Sequence, residues 1–267
     1  MCLILFAAGA HSRFPLIVAA NRDEAYDRRA AAAGLWEDHP NVYGGRDLER
    51  GGTWLGIARN SRFAAITNYR QGVRTEDARR TRGELTRNYL SATGDTLQYL
   101  QNVQEHRGEY HGFSLLAGTP DQLYFYSNRS DRITAIAPGV HGLSNRLLDE
   151  PWPKVQRGIA VLTQLLDAEE NAITQTLFEL LADRTAAPDH LLPSTGITLE
   201  RERALSAAFI AGDTYGTRSC TVLIVGAAGE VFLCEHTYGA QGVPLEKREL
   251  RFQLDHQRRI SAAPARA

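Results

Sequence analysis

The chain has 267 residues, 43% of them hydrophobic and 23% charged, and its 30 Lys and Arg stand against 31 Asp and Glu for a formal net charge of -1. Apolar residues are too plentiful, and Gly and Pro too few, for a disordered or collagen-like chain. The even charge balance argues against a dedicated nucleic-acid binder, and no apolar run reaches the roughly 18 residues that cross a bilayer. Three cysteines (Cys2, Cys220 and Cys234) are too few for a disulfide framework and fit a reducing compartment. A soluble, cytoplasmic protein is expected, and the pattern fixes no oligomeric state.

The apolar run "CLILFAAGA" predicts a strand buried on both faces. After a polar break at His11–Arg13, "FPLIVAA" repeats the pattern to Ala20, so the two runs predict a hairpin. Residues Asn21–Arg50 turn polar and Gly-rich, and "NRDEAYDRR" and "YGGRDLERGG" read as loop. "TWLGIA" and "FAAITNY" follow as a second strand pair turning at Arg59–Arg62, and the Arg-rich stretch Gln71–Arg82 reads as another loop. Helical spacing begins with Leu85, Tyr89 and Leu90, and resumes with Leu97, Leu100 and Val103. "FSLLAG" and "QLYFYS" read as strands turning at Thr119–Asp121, with "RITAIA" after them. A helix is expected just after Pro151 and Pro153, carrying Val155, Ile159, Leu162 and Leu166, and a further one over Thr174–Leu181. "CTVLIVG" and "EVFLCEH" form a hairpin pattern across "AAGE". Residues 256–267, basic and rich in Ala and Pro, are expected to be a disordered tail after one domain over 1–255. Strand pairs at both ends with helices between suit layered sheets better than a βαβ repeat.

Among chemistry-bearing motifs, the chain has no His-Glu-x-x-His stretch, paired CxxC or P-loop, so no protein-held metal and no resident cofactor are expected. Cys2 is the residue of interest. Initiator Met is generally removed before a small residue, which leaves a cysteine with both a thiol and a free α-amine. An α-amine titrates near 7.7–8.0 and can serve as the nucleophile's own general base. Position alone leaves a second reading open, in which Cys2 is a small apolar residue starting a buried strand. Cys220 and Cys234, inside apolar strands, read as buried and inert.

Six blocks, "MCLILF", "ANRDE" (20–24), "GGRDLERGGTWLGI" (44–57), "FAAITNYR" (63–70), "GLSNRLLDEPWPKV" (142–155) and "YGTRSCTVLIV" (215–225), keep an order along nearly the whole chain. Together they resemble the NRDE family, also called the transport and Golgi organisation protein 2 family. The resemblance implies an α+β fold of the N-terminal nucleophile hydrolase type, a four-layer αββα sandwich of two mainly antiparallel sheets. Within that superfamily the layout is similar to the penicillin V acylases and bile salt hydrolases, which begin Met-Cys and cleave non-peptide amides.

By that likeness Cys2 is the nucleophile and Arg22 lies close to its thiolate. Asn68, in an Asn-aromatic step with Tyr69, looks like the oxyanion-hole asparagine, and Asn145 and Arg218 look like a second asparagine and a late arginine of the group. The hydrolases place an Asp three residues after the Arg, where this chain has Ala25, so Asp23 or Glu24 is left to orient the amine. Trp54 packs in the core or lines a pocket wall, with Tyr69 beside the substrate. The expected partner is a small-molecule substrate, with no nucleic acid and no membrane insertion. The family's eukaryotic members are linked to Golgi organisation and secretion, and haem mobilisation has been proposed for it. A second expectation is therefore a carrier without chemistry, with haem as ligand and a thiol or His236 on its iron.

Overall fold

The computed structural model describes residues 2–72 and 78–255; the predicted tail at 256–267 lies outside the described residues. The elements in chain order are β1 (Cys2–Ala8), β2 (Leu16–Ala25), β3 (Ala30–Leu35), β4 (Val42–Asp47), β5 (Leu55–Ala58), β6 (Phe63–Asn68), α1 (Arg82–Ser91), α2 (Thr96–Glu105), β7 (Phe113–Thr119), β8 (Gln122–Ser127), β9 (Arg132–Ala135) and β10 (Gly139–Leu143). They continue with α3 (Pro153–Gln164), α4 (Glu170–Leu181), α5 (Leu199–Ala204), β11 (Tyr215–Val225), β12 (Glu230–Tyr238) and β13 (Pro244–Gln253).

Two sheets form, one ordered β10-β1-β2-β11-β12-β13 and the other β3-β4-β5-β6-β7-β8-β9, and neighbouring strands in both run antiparallel. Alternation along each strand divides its side chains between two cores. Ile4, Phe6, Leu16, Val18, Leu223 and Leu233 meet Leu55, Ile57, Phe63 and Leu116 between the sheets. Leu3, Leu5, Ile17 and Val222 pack on the opposite face with Val155 and Leu162 of α3 and Ile173 and Leu177 of α4. Ile66, Leu115 and Tyr126 pack with Leu85, Tyr89, Leu100 and Val103 of α1 and α2. The order is therefore helices, sheet, sheet, helices, the αββα sandwich expected from the sequence. It also explains why β1 and the first half of β2 read as unbroken apolar runs: both faces of that sheet are covered.

The helices begin where local chemistry starts them. Asp95 caps α2 by accepting the Gln98 N–H at 2.9 Å, and Pro153 occupies the first turn of α3. In the second helical pattern Leu100 and Val103 are buried, whereas Leu97 is exposed.

The reading of Asn21–Arg50 as loop is corrected. β2 runs on through "NRDEA", and β3 and β4 both lie inside that stretch. Its polar residues belong to strands because the fold supplies them with partners. Asn21 is 1% exposed and donates to the Leu181 and Ala208 carbonyls, each at 2.8 Å, and Asp23 accepts from Thr217 Oγ1 at 2.7 Å. The glycines of β4 make room for neighbours: a Cβ on Gly45 would come within 2.1 Å of the Trp54 ring. β10, α5 and β13 were not anticipated.

Candidate active site

β1 and β2 pair so that Cys2 stands opposite Arg22. Arg22 has the parity of Val18 and Ala20, which face the space between the sheets. There it is 6% exposed, and its guanidinium carbon lies 4.2 Å from the centre of the Trp54 ring, a cation–π contact that shields a buried charge. Asp23, on the other face of β2, is buried and anchored by Thr217. Burial pushes its carboxyl above the ordinary carboxylate range, opposed first by the amino-terminal charge and then by the Lys154 charge, the Thr217 hydrogen bond and Arg22.

A cleft of about 530 Å³ opens here, walled by Arg22, Asp23, Glu24, Trp54, Thr53 and Asn68 among others. Through Glu24, Arg28, Asn68 and His111 it shares walls with a larger cleft of about 1760 Å³, which Tyr69, Asn145 and Tyr215 also line. Asn68, at the end of β6, borders both. Its side-chain amide makes no hydrogen bond among the described residues, which leaves it available to a ligand. Tyr69 donates its backbone N–H to the Gly112 carbonyl at 2.9 Å and carries Arg146 over its ring.

Asn145 is 1% exposed and holds its neighbours. Its Nδ2 donates to the Asn68 carbonyl at 3.0 Å, and its own carbonyl accepts the Arg70 N–H at 2.7 Å. The loop after β10 is tied to the second sheet by Thr67 Oγ1 donating to the Ser144 carbonyl at 2.7 Å and Ser114 Oγ to that of Arg146 at 2.6 Å. Asn145 thus fixes where Asn68 stands. Arg218 sits at a bulge in β11 between Thr217 and Ser219, which aims it out of the regular alternation. Its Nη1 donates to the carbonyls of Ala25 at 2.7 Å and Arg28 at 2.9 Å, so it fastens the β2–β3 turn that presents Glu24 and Arg28. Neither cleft has Arg218 in its walls. The structure therefore brings Arg22, Asp23, Trp54, Asn68, Tyr69 and Asn145 together at one end of the sheets and keeps Arg218 one residue layer behind.

Among the buried charges that sequence reasoning missed, alongside Arg62 and Glu202, two adjoin the site. Glu235 on β12 is 1% exposed and joins the sheets, accepting the Ala33 N–H of β3 at 2.7 Å and Thr221 Oγ1 at 2.9 Å. Burial raises its carboxyl, with those two hydrogen bonds, another from Ser219 and the charge of Arg22 opposing. Lys154 on α3 is the other, and it stands in the "PWPKV" step where no role had been assigned. His236, named above as a possible iron contact, stacks on Phe178 of α4 at 4.0 Å between centroids, and its Nε2 is buried without a hydrogen bond among the described residues. It lies under α4, outside both clefts. Among the described residues no cluster of His, Cys, Asp and Glu is placed to hold a metal, and no helix is long and apolar enough to cross a membrane.

The profile of the family described as Transport and Golgi organisation 2 matches residues 1–240. The chain belongs to this family. A Transport and Golgi organization protein 2 homolog of Bos taurus is 35% identical over 257 residues, covering 89% of this chain and 93% of the relative. The Homo sapiens homolog is 32% identical with the same coverage. Among solved structures, a penicillin V acylase from Agrobacterium tumefaciens superposes with a TM-score of 0.51 at 10% identity, over 95% of this chain and 86% of that one. At such identity the likeness is one of fold, the hydrolase-like sandwich of the N-terminal nucleophile type.

Proposed function

We propose that this Transport and Golgi organisation 2 family member is an amidase of the N-terminal nucleophile type, acting on a non-peptide amide with Cys2 as nucleophile once Met1 is removed. The observation that carries the reading is the backbone pairing of Cys2 with Arg22, whose side chain walls a cleft that Asn68 also borders, its amide making no hydrogen bond among the described residues. A cation beside a thiol favours the thiolate. In the reaction the sulfur adds to the amide carbonyl, and Asn68 Nδ2 donates to the oxyanion, a contribution of about 3 kcal/mol in comparable sites. The C–N bond breaks as the α-ammonium returns its proton to the departing amine. Water, deprotonated by the same α-amine, then hydrolyses the thioester to a carboxylic acid. Asp23, the carboxylate nearest in sequence to the Arg22 position, takes the amine-orienting part that Ala25 cannot.

Intact mass measurement on the purified chain, followed by a panel of acyl amides, tests this. A mass lacking Met1 and loss of turnover in Cys2→Ala by a factor above about 10³ are expected. Retained Met1, or equal turnover in the variant, would reject it.

A second reading, carriage of an anionic small molecule such as haem, draws on the charge of the larger cleft. Among the described residues its walls hold eight arginines against two carboxylates, Glu24 and Glu200, although Arg28, Arg70, Arg107 and Arg203 are ion-paired with Asp47, Glu202, Asp131 and Asp189. Such segregation concentrates anions at the mouth. On this reading haem titration gives a saturable Soret shift that Cys2→Ala preserves or alters without any accompanying amide cleavage; an unchanged spectrum would reject haem.

A further inference from the structure

Past Gly142 the chain leaves β10 and turns back on itself. Leu143 bridges Leu148 in the antiparallel sense, and the Asp149 N–H donates to the Gly142 carbonyl at 2.8 Å. Residues 144–147 are therefore the tip of a small hairpin. That tip ties the two sheets together at the site, through Thr67 on the Ser144 carbonyl and Asn145 on the Asn68 carbonyl. Side chains close its base. Asp149 Oδ1 accepts the Gly142 N–H at 2.8 Å, and Oδ2 meets His141 Nδ1 at 2.8 Å. His141 Nε2 lies 3.0 Å from the Ala137 carbonyl. Asp149 holds its φ at 56°, the left-handed region where a short polar side chain can bond locally. Both nitrogens of the ring thus face an acceptor, one a carboxylate and the other a carbonyl. A neutral imidazole carries one N–H and one lone pair, so both contacts are hydrogen bonds only when the ring is protonated.

We propose that His141 and Asp149 are positioning residues of the site, a charged clasp at the base of the hairpin that fixes where Asn145 holds the Asn68 backbone and that loosens when the imidazolium loses its proton. For its effect on turnover the proposal rests on the amidase reading, in which Asn68 serves the oxyanion; the clasp itself does not. Loss of the proton turns one of the two ring contacts into lone-pair repulsion and removes the charge from the other. Asp149 is the charged group that faces the ring. Phe6, its cross-strand partner on β1, stacks on it at 5.3 Å between centroids, and the Gly139 backbone lies beside Nε2. Arg146 and Glu150, on the hairpin and just past it, pair with each other at 4.0 Å. The Asp149 hydrogen bond raises the His141 midpoint above the ordinary histidine value, helped by the Ala137 carbonyl and the Asp149 charge and opposed by burial. A histidine raised in the folded state contributes stability that is complete below its unfolded pKa, about 6.5, and is lost as pH climbs through the folded midpoint. The clasp is therefore closed in mild acid and open in base.

NMR of the full chain, following the His141 ring nitrogens and the side-chain amides of Asn68 and Asn145 over one pH series, tests the clasp without any turnover. In wild type the His141 midpoint should lie above about 6.5, and both asparagine signals should move with it. Asp149→Asn should lower the His141 midpoint by more than about 0.5 pH unit and shift the Asn145 signal at low pH toward its high-pH position. A merely structural role would lower the unfolding temperature without making Asn145 follow a histidine titration. A His141 midpoint at or below the ordinary value, or asparagine signals indifferent to that titration, would overturn the proposal; both are read in wild type, so they decide even if Asp149→Asn does not fold. With an amide that wild type cleaves, Asp149→Asn at pH 6 should lower kcat about tenfold and leave KM within about twofold, and an unchanged kcat would overturn the positioning role. Asparagine signals that track His141 in a wild type cleaving no amide would support the clasp and count against the amidase.

Discussion

Gly52→Ala is expected to destabilise the fold by about 3 kcal/mol, at the upper end of what overpacking costs. A Cβ at this position would sit 2.4 Å from the carbonyl carbon of Gly83 and 2.6 Å from its oxygen. Both are backbone atoms at the start of α1, so no side-chain rotation relieves the overlap. The contact is built into hydrogen bonding as well. The Thr53 N–H donates to the Gly83 carbonyl at 3.1 Å, and Thr86 Oγ1 donates to the Thr53 carbonyl at 2.5 Å. Pushing Gly52 away from Gly83 strains or breaks both bonds. It also moves Trp54, the face on which Arg22 rests. Thermal unfolding should fall by on the order of 6–10 °C, while Gly108→Ala, with nothing within 4 Å of the added Cβ and an ordinary φ, should leave the midpoint within about 2 °C. Equal midpoints for the two variants would mean that the β4–β5 turn and α1 are not in backbone contact.

That contact also shows which parts of the molecule could be read from the chain. β1, the first half of β2, β11 and β12 declare themselves as apolar runs because helices and a second sheet cover them on both sides, and burial on both faces writes one long signal. The failure at Asn21–Arg50 has the same physical root. Asn21, Arg22 and Asp23 look like solvent-exposed loop residues when partners are invisible. Yet Leu181, Ala208, Thr217 and Trp54, which satisfy them, come from elsewhere in the sequence. Gly44 and Gly45 likewise read as turn residues, although they stand in β4 because β5 and the Trp54 ring leave no room for a Cβ. Family resemblance points to candidate residues at those strand ends. It could not tell that Asn145 holds the Asn68 backbone, that Arg218 fastens a turn behind the cleft, or that Glu235 and Lys154 supply the buried charges. Those assignments depend on which carbonyl or amide each group meets, and a motif carries no record of that.

On the amidase reading, Arg22→Met is expected to cut turnover at pH 7 by about thirtyfold and to restore most of it near pH 9.5. A thiol without a cationic neighbour titrates near 8.5, so only about 3% is thiolate at pH 7, against nearly all of it when a cation holds the pKa well below neutrality. Methionine keeps apolar contact with the Trp54 ring while removing the charge together with the guanidinium's hydrogen-bond donors. Recovery at high pH therefore separates an electrostatic role from a positional one; a variant equally slow at pH 9.5 would show that Arg22 orients the substrate instead. The same substitution has a stability signature. Glu235 and Asp23 both have carboxyls raised by burial, and Arg22 opposes the rise in each. A carboxyl raised in the folded state contributes stability that is complete below its unfolded pKa, near 4, and is lost as pH climbs through the folded value. Removing Arg22 raises both folded values further, so the unfolding midpoint of Arg22→Met should fall more than that of wild type as pH rises above the unfolded carboxylate range, about 4. Adding Glu235→Gln removes one of the two carboxyls and should flatten that slope again. If the double variant keeps the steep slope, Glu235 does not sense the Arg22 charge, and the inter-sheet carboxylate is coupled to Ala33, Ser219 and Thr221 alone.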